Sequence, residues 1–148
     1  MSDYDIILVD SLLRNILDEE RNQWTGHWEN CPLLFNACQT SRSAREKCGS
    51  RENRRIMTRC REEVNNELRR KVNHYFTDRD DAVSQWGEIG TWDTTGVTDM
   101  SNLFSNRFDF NENLNNWNTA NVTDMSYMFR HAESFNQPLP QSFNTANV

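Results

Sequence analysis

The sequence predicts an α+β protein, a helical N-terminal region followed by a short solenoid with small parallel strands. Three observations carry this reading. Apolar residues recur at helical spacing over roughly the first 80 positions. From Trp86 onward Lys disappears and eleven Asn crowd into 63 residues, so the two halves follow different rules. Within the second half "WDTTGVTDMSNLF" (92–104) returns 25 residues later as "WNTANVTDMSYMF" (117–129), and "FNTANV" opens a third copy at Phe143.

The first helix is read from "SDYDIILVDSLLRNILDEERNQW". There Ile6, Val9, Leu13, Ile16 and Leu17 recur at helical spacing, and Ser2 or Asp3 can cap the start. A second helix is expected from about Asn53 to Phe76. Its apolar stripe is Met57, Cys60, Val64, Leu68, Val72 and Tyr75, with Glu and Arg on the remaining faces. Between them "TGHWENCPLLFNACQTSRSAREKCGS" is less periodic and holds three of the four cysteines. These features assign residues 1–85 to a helical, Cys-containing anchoring region and 86–148 to the repeats.

In the repeats Val97, Asp99, Met100, Ser101, Phe104, Phe110, Asn111 and Leu114 reappear as Val122, Asp124, Met125, Ser126, Phe129, Phe135, Asn136 and Leu139. One extra residue around "PLPQ" shifts the third opening aromatic to Phe143. A fixed apolar pattern with a period of roughly 20–29 residues marks units that stack on one another. The expected interior is Trp92, Val97, Met100, Phe104, Phe110 and Leu114, continued by Trp117, Val122, Met125, Phe129, Phe135, Leu139 and Phe143. Val97, Met100 and Phe104 fit one or two helical turns, with Thr98 as N-cap. Leu114 through "NNWNTAN" reads as extended chain that would pair between units as short parallel strands. Asn carries both donor and acceptor, so stacked Asn can satisfy backbone groups that a sharp bend leaves over. Asn111 with Asn136 is one expected polar ladder, and Asp93, Asn118 and Asn144 another.

The words "WDTTGVTDMSNLF" and "WNTANVTDMSYMFRHAESFNQPL" closely resemble the BspA-type leucine-rich-repeat family, also known from mycoplasma-like surface lipoproteins. Its consensus is roughly W-[ND]-T-S-x-V-T-D-M-S-x-M-F followed by F-N-Q-x-L, and the resemblance covers about Trp92 to Val148. The lead-in "AVSQWGEIGTWDTT" resembles members from microalgae, protists and large DNA viruses, with Trp86 at a position usually occupied by Tyr. The resemblance implies a right-handed, leucine-rich-repeat-like solenoid, a role in protein–protein contact or surface display, and no catalytic residues. It says nothing of residues 1–80.

Composition bounds the function. Leu, Ile, Val and Phe number 30 of 148 residues, which points to a thin core helped by five Trp and three Tyr, and to reliance on partners for stability. No apolar stretch approaches the roughly 18 residues of a membrane span. Asp3, Asp5 and Asp10 are unlike a secretory signal. Bacterial family members usually carry a signal or lipid anchor, so the expected setting is intracellular or a virion. Charge is uneven: residues 42–71 hold eleven Arg/Lys against five Glu, whereas 86–148 hold two Arg against seven acids. These blocks can compensate one another within the fold, or the basic one can bind a polyanion.

Cys31, Cys38, Cys48 and Cys60 lack the tight C-x₂₋₄-C pair with which zinc sites usually begin; zinc supported by His27 or His74 is the lesser reading. In a helical hairpin Cys31 and Cys38 share a face, so that Cys31–Cys60 and Cys38–Cys48 form nested bridges. Four cysteines allow three pairings, and four reduced, partly buried thiols are the alternative. His27, His74 and His131 are scattered, and no nucleophile motif or phosphate-binding glycine loop is present, so no catalytic residue, cofactor or metal is expected. Arg51, Arg54, Arg55, Arg59 and Arg61 form no single stripe, being interrupted by Glu62, Glu63 and Glu67. Asn121-Val122-Thr123 is a glycosylation sequon whose use is not expected.

The expected function is that of a non-enzymatic structural or scaffolding protein making protein–protein contacts. By the distribution of the family it resembles, a minor, capsid-associated component of a large DNA virus is the setting expected. The alternatives are a nucleic-acid or anionic-surface binding module using 42–71, or a fragment of a surface adhesin. Phe143, Asn144 and Val148, at the open edge of the third copy, are the expected partner contacts.

Overall fold

Val9, Leu12 and Leu13 fall on one face of a helix and are buried there, as the apolar spacing of the N-terminal segment requires. This helix, α1 (Tyr4–Ile16), belongs to a computed structural model that describes residues 4–18, 23–24, 31–51, 53–139 and 143–148. The expected caps Ser2 and Asp3 lie outside the described residues, as do the side chains of Ile6, Ile16 and Leu17. Leu17 does not continue the helix: β1 (Leu17–Asp18) pairs antiparallel with β2 (Gln23–Trp24), Leu17 opposite Trp24.

The chain divides into two compact units, residues 1–64 and 65–148. In the first, α1 packs against α2 (Cys31–Gln39) and α3 (Arg42–Cys48), which also pack on each other. Leu34, Phe35 and Ala37 of α2 and Ala44 of α3 are buried. Ser41 starts α3 by accepting from the Ala44 amide, as a Ser N-cap does. Lys47 reaches Asp10 at 2.9 Å. Two disulfides staple the unit, Cys31–Cys60 and Cys38–Cys48, and among the described residues no cysteine is free. Each bridge contributes about 2–4 kcal/mol, which matters in a unit too small to bury a large core.

The long helix α4 (Arg54–Thr77) carries the expected stripe, and all of its members are buried: Met57, Cys60 and Val64 in the first unit, Leu68, Val72 and Tyr75 in the second. After it, α5 (Arg79–Trp86) opens with Asp78 accepting from the Asp81 amide and with Asp80 and Asp81 in its first turn, where the helix dipole favours acids. A 3₁₀ turn (Ile89–Thr91) leads into the repeats. Gly90 is required there, because a Cβ would sit 2.1 Å from the Asn113 carbonyl oxygen.

The repeats correct the expected fold class. Among the described residues no small parallel strands form, so the α+β solenoid is not what they build. Among the described residues of the repeats the strand-type pairing is one isolated parallel bridge, Asp99 with Asp124. The "TDMSxxF" segments are not helical either; residues 101–106 and 126–131 are successive turns. The reason lies in the backbone: Asn102 and Asn106 in one repeat, and Tyr127 and His131 in the next, have φ between 56 and 59°. That left-handed conformation fits neither a strand nor an α-helix, and Asn adopts it most readily among side-chain-bearing residues.

Candidate functional site

Turns of this kind send alternate amides in opposite directions. In the first repeat Leu103, Ser105 and Arg107 donate back to Met100, Asn102 and Phe104 within their own turn. Met100, Asn102, Phe104 and Asn106 instead donate outward to the carbonyls of Asp124, Ser126, Met128 and Arg130 at 2.8–2.9 Å. Stacking of the two repeats thus rests on a row of backbone bonds between turns. The rings follow the same register. Phe104 lies over Phe129 and Phe110 over Phe135, with centroids 5.5 and 5.6 Å apart. Within each repeat the pairs are tighter, 4.1 Å for Phe104–Phe110 and 4.3 Å for Phe129–Phe135.

The other side of the first repeat is closed by α4, whose side chains take the place of a preceding turn. Thr123 and Asp124 donate their amides to the carbonyl of Thr98 at 2.8 and 3.3 Å. One period earlier Thr98 and Asp99 donate theirs to the side-chain carbonyl of Asn65, at 2.9 and 3.2 Å. Asn65 therefore substitutes for a backbone carbonyl. Arg69 substitutes for a backbone amide, donating to the Ser101 carbonyl at 2.7 Å while its other nitrogen meets Asp99 at 2.8 Å. Phe76 packs edge-on against Phe104 and Phe110, and Arg107 lies over Phe76 while donating to Asn73. Thr98 is thus not the expected N-cap; it is a point of attachment to α4.

The polar ladders also need correction. Asn111 and Asn136 do connect, the Asn136 amide donating to the Asn111 side-chain oxygen at 2.8 Å. Asp93, Asn118 and Asn144 do not join one another. Each side-chain oxygen accepts from the amide two residues on, at Thr95, Ala120 and Ala146. This local Asx turn is the shortest closure open to the side chain, and it uses the oxygen that a ladder would need. The buried threonines next to them make the connection. The Thr94 hydroxyl accepts from the Asn118 amide and donates to its carbonyl, and Thr119 does the same with Asn144. Their signal was present in the sequence as the invariant third letter of W-D-T, W-N-T and F-N-T.

Burial separates the two repeats. Trp92, Val97, Met100, Phe104, Phe110 and Leu114 are all buried, as are Trp117 and Val122. Met125, Phe129, Phe135 and Phe143 are half-buried, and Leu139 is 49% exposed where Leu114 is 1%. Leu139 is therefore not interior among the described residues, because nothing there stacks beyond it as the second repeat stacks beyond Leu114. Leu103 and Met128, which the periodic reading left out, are buried instead. Asn144 and Val148 are exposed, and the Asn147 side chain donates to the Ala120 carbonyl. The inserted residues 140–142 lie outside the described residues.

Electrostatics follow the cap. Partial burial pushes the Asp99 carboxyl up, but hydrogen bonds from Ser101 and the charge of Arg69 outweigh it and hold Asp99 below its ordinary value. Tyr75 is pushed up to about 12, first by burial and then by the nearby Glu112 carboxylate. Tyr75 lines an open cleft of about 380 Å³ with Phe76, Arg79, Arg107, Phe110 and Glu112. Arg79 there is held by Glu112 at 3.0 Å and Glu88 at 3.5 Å and lies over the Tyr75 ring.

The remaining candidates fall elsewhere. His27 lies outside the described residues, and His74 pairs with Asp81 at 2.6 Å. Among the described residues no group of three or more His, Cys, Asp or Glu is placed to hold a metal ion. The basic segment is divided between the two units. Arg42 pairs with Glu46 and Arg70 with Glu67, whereas Arg51, Arg54, Arg55 and Arg61 are exposed without an ion pair among the described residues. No described helix is long and apolar enough to cross a membrane.

Comparison with curated proteins and with solved structures finds no match. A family model described as "Mycoplasma protein of unknown function, DUF285" matches residues 70–148, which takes in both repeats, the third opening and the last turns of α4. With more than half of its length inside that match, the chain belongs to this family.

Proposed function

We propose that the protein is a non-enzymatic contact protein whose repeats are of the BspA type and whose second repeat offers the docking face. The observation that carries this reading is the unequal burial of equivalent residues. Met125, Phe129 and Phe135 are half-buried and Leu139 is exposed, where Met100, Phe104, Phe110 and Leu114 are buried. A patch of aromatic and aliphatic side chains left half in water gains free energy when another surface covers it. The setting belongs to the same proposal: a larger assembly, by resemblance a large DNA-virus particle, where neighbours supplement a thin core.

Leu139→Asp tests the reading. An exposed position should tolerate Asp with less than about 0.5 kcal/mol change in stability, read by thermal unfolding. Association with the partner, recovered by cross-linking in the native source, should weaken at least tenfold. Unchanged association would sink the assignment of this face. A second reading, polyanion binding, draws on Arg51, Arg54, Arg55 and Arg61 of the first unit, which are exposed and make no ion pair among the described residues. Duplex DNA binding that weakens steeply with salt would favour it.

A further inference from the structure

Tyr75 fills its place in the α4 stripe with its ring, which packs edge-on against Phe76 and Trp92. Phenylalanine would serve that packing equally well, so the hydroxyl needs its own explanation. It is buried and has no hydrogen-bond partner among the described residues, an unfavourable state for a polar group closed to water. The Glu112 carboxylate approaches it without meeting hydrogen-bond geometry, while Arg79 holds that carboxylate at 3.0 Å. Burial and Glu112 push the phenol up to about 12, so at neutral pH it keeps its proton and remains a donor.

The cleft beside it lies wholly within the second unit and, at about 380 Å³, has the volume of a small-molecule site. Phe76, Phe108 and Phe110 give it an aromatic wall, and Phe108 is 52% exposed. Two guanidinium groups line it. Arg107 lies 4.3 Å over the Phe76 ring and donates to Asn73, yet makes no ion pair among the described residues. Arg79 lies over the Tyr75 ring, is half exposed, and is shared between Glu112 and the more distant Glu88. Asp109 is exposed on the rim.

We propose that this cleft binds a small aromatic carboxylate, which takes Arg79 from Glu112 and so frees Glu112 to accept from the Tyr75 hydroxyl. The ligand's ring covers Phe76 and Phe108, and Arg107 adds a positive charge that Asn73 does not neutralise. Exchanging one exposed ion pair for another changes little free energy. The gain is a new charge-assisted hydrogen bond at a group shielded from water. A neutral aromatic ligand would cover the rings but leave Glu112 with Arg79 and the hydroxyl unpartnered. A cationic one would meet the unpaired charge of Arg107. This site goes beyond the contact-protein reading and does not depend on it.

The test titrates the full chain with benzoate and follows the side-chain Nε signals of Arg79 and Arg107 by NMR. Both should shift and saturate, whereas benzylamine and benzyl alcohol, which carry the same ring, should leave them unmoved. Tyr75→Phe supplies the distinguishing measurement. That variant should unfold at a temperature no lower than the parent's, since it loses only an unpartnered hydroxyl. It should nevertheless bind benzoate about tenfold more weakly, and Arg79→Gln should lose the binding. Unchanged benzoate affinity in Tyr75→Phe overturns the inference. So does a lower unfolding temperature of that variant, which would mean that the hydroxyl already has a partner. Absence of saturable shifts up to the solubility limit of benzoate overturns it as well. A tripeptide ending in a Phe carboxylate, run beside its C-terminal amide, separates the two sources of the ligand while upholding the site. Binding tighter than benzoate that the amide abolishes points to a peptide terminus, and tighter benzoate points to a free acid.

Discussion

The two repeats share a sequence word, a backbone conformation and a hydrogen-bonding register, yet they differ in burial. The first has α4 on one side and the second repeat on the other; among the described residues the second has the first repeat and the opening of a third. Burial in a stack of turns is thus a property of neighbours. An identical aromatic pair is core in one repeat and a candidate interface in the next. The comparison also shows how a stack can be ended. A helix presents a regular surface whose own backbone is satisfied, so it must lend side chains to stand in for a turn. Asn65 supplies the carbonyl and Arg69 the amide.

The largest expected difference between the repeats is in their rings. Phe104→Ala should cost about 3–5 kcal/mol, the range for a fully buried Phe, whereas Phe129→Ala should cost about half as much. Chemical denaturation of both variants checks this; equal costs would mean that the second repeat is covered in the isolated chain. Next comes the cap. Asn65→Ala removes the acceptor for the Thr98 and Asp99 amides and should cost about 1–3 kcal/mol, with exchange at those two amides faster than in the parent. If their exchange is unchanged, Asn65 is not the substitute carbonyl.

The smallest effect is that of pH. Asp99 titrates below its ordinary value when folded, so the folded state gains stability from its ionised form above the ordinary carboxylate range and loses it as pH falls through the depressed value. The parent should therefore lose stability below about pH 4 more steeply than Asp99→Asn. Parallel acid unfolding curves would remove the Arg69–Asp99 pair from the cap.

Much of this was legible in the chain. The α4 stripe is a strong helical period, and its expected buried residues are buried. The 25-residue word located both repeats and most of the first repeat's interior. What failed did so for local reasons. Helical spacing in Val97, Met100 and Phe104 is equally compatible with consecutive turns, and the positive-φ positions carry no common residue, Asn102 and Asn106 in one repeat but Tyr127 and His131 in the next, so the repeated word holds no plain signal for the turn. The ladder of Asp93, Asn118 and Asn144 failed because each side-chain oxygen closes on an amide two residues away before it can reach the next repeat. Asn65 and Arg69 left only a faint trace. Asn is a poor residue for a helix interior, so its presence inside α4 marks a side chain with work elsewhere.

By itself the sequence determined where the long helix α4 runs and where the repeat units recur, because helix periodicity and a repeated word are local properties of the chain. Tertiary structure alone decided which copy of a repeated residue is buried, whether turns or strands connect the repeats, and which side chains close the first repeat. These depend on what lies against each unit, and identical words carry no record of their neighbours.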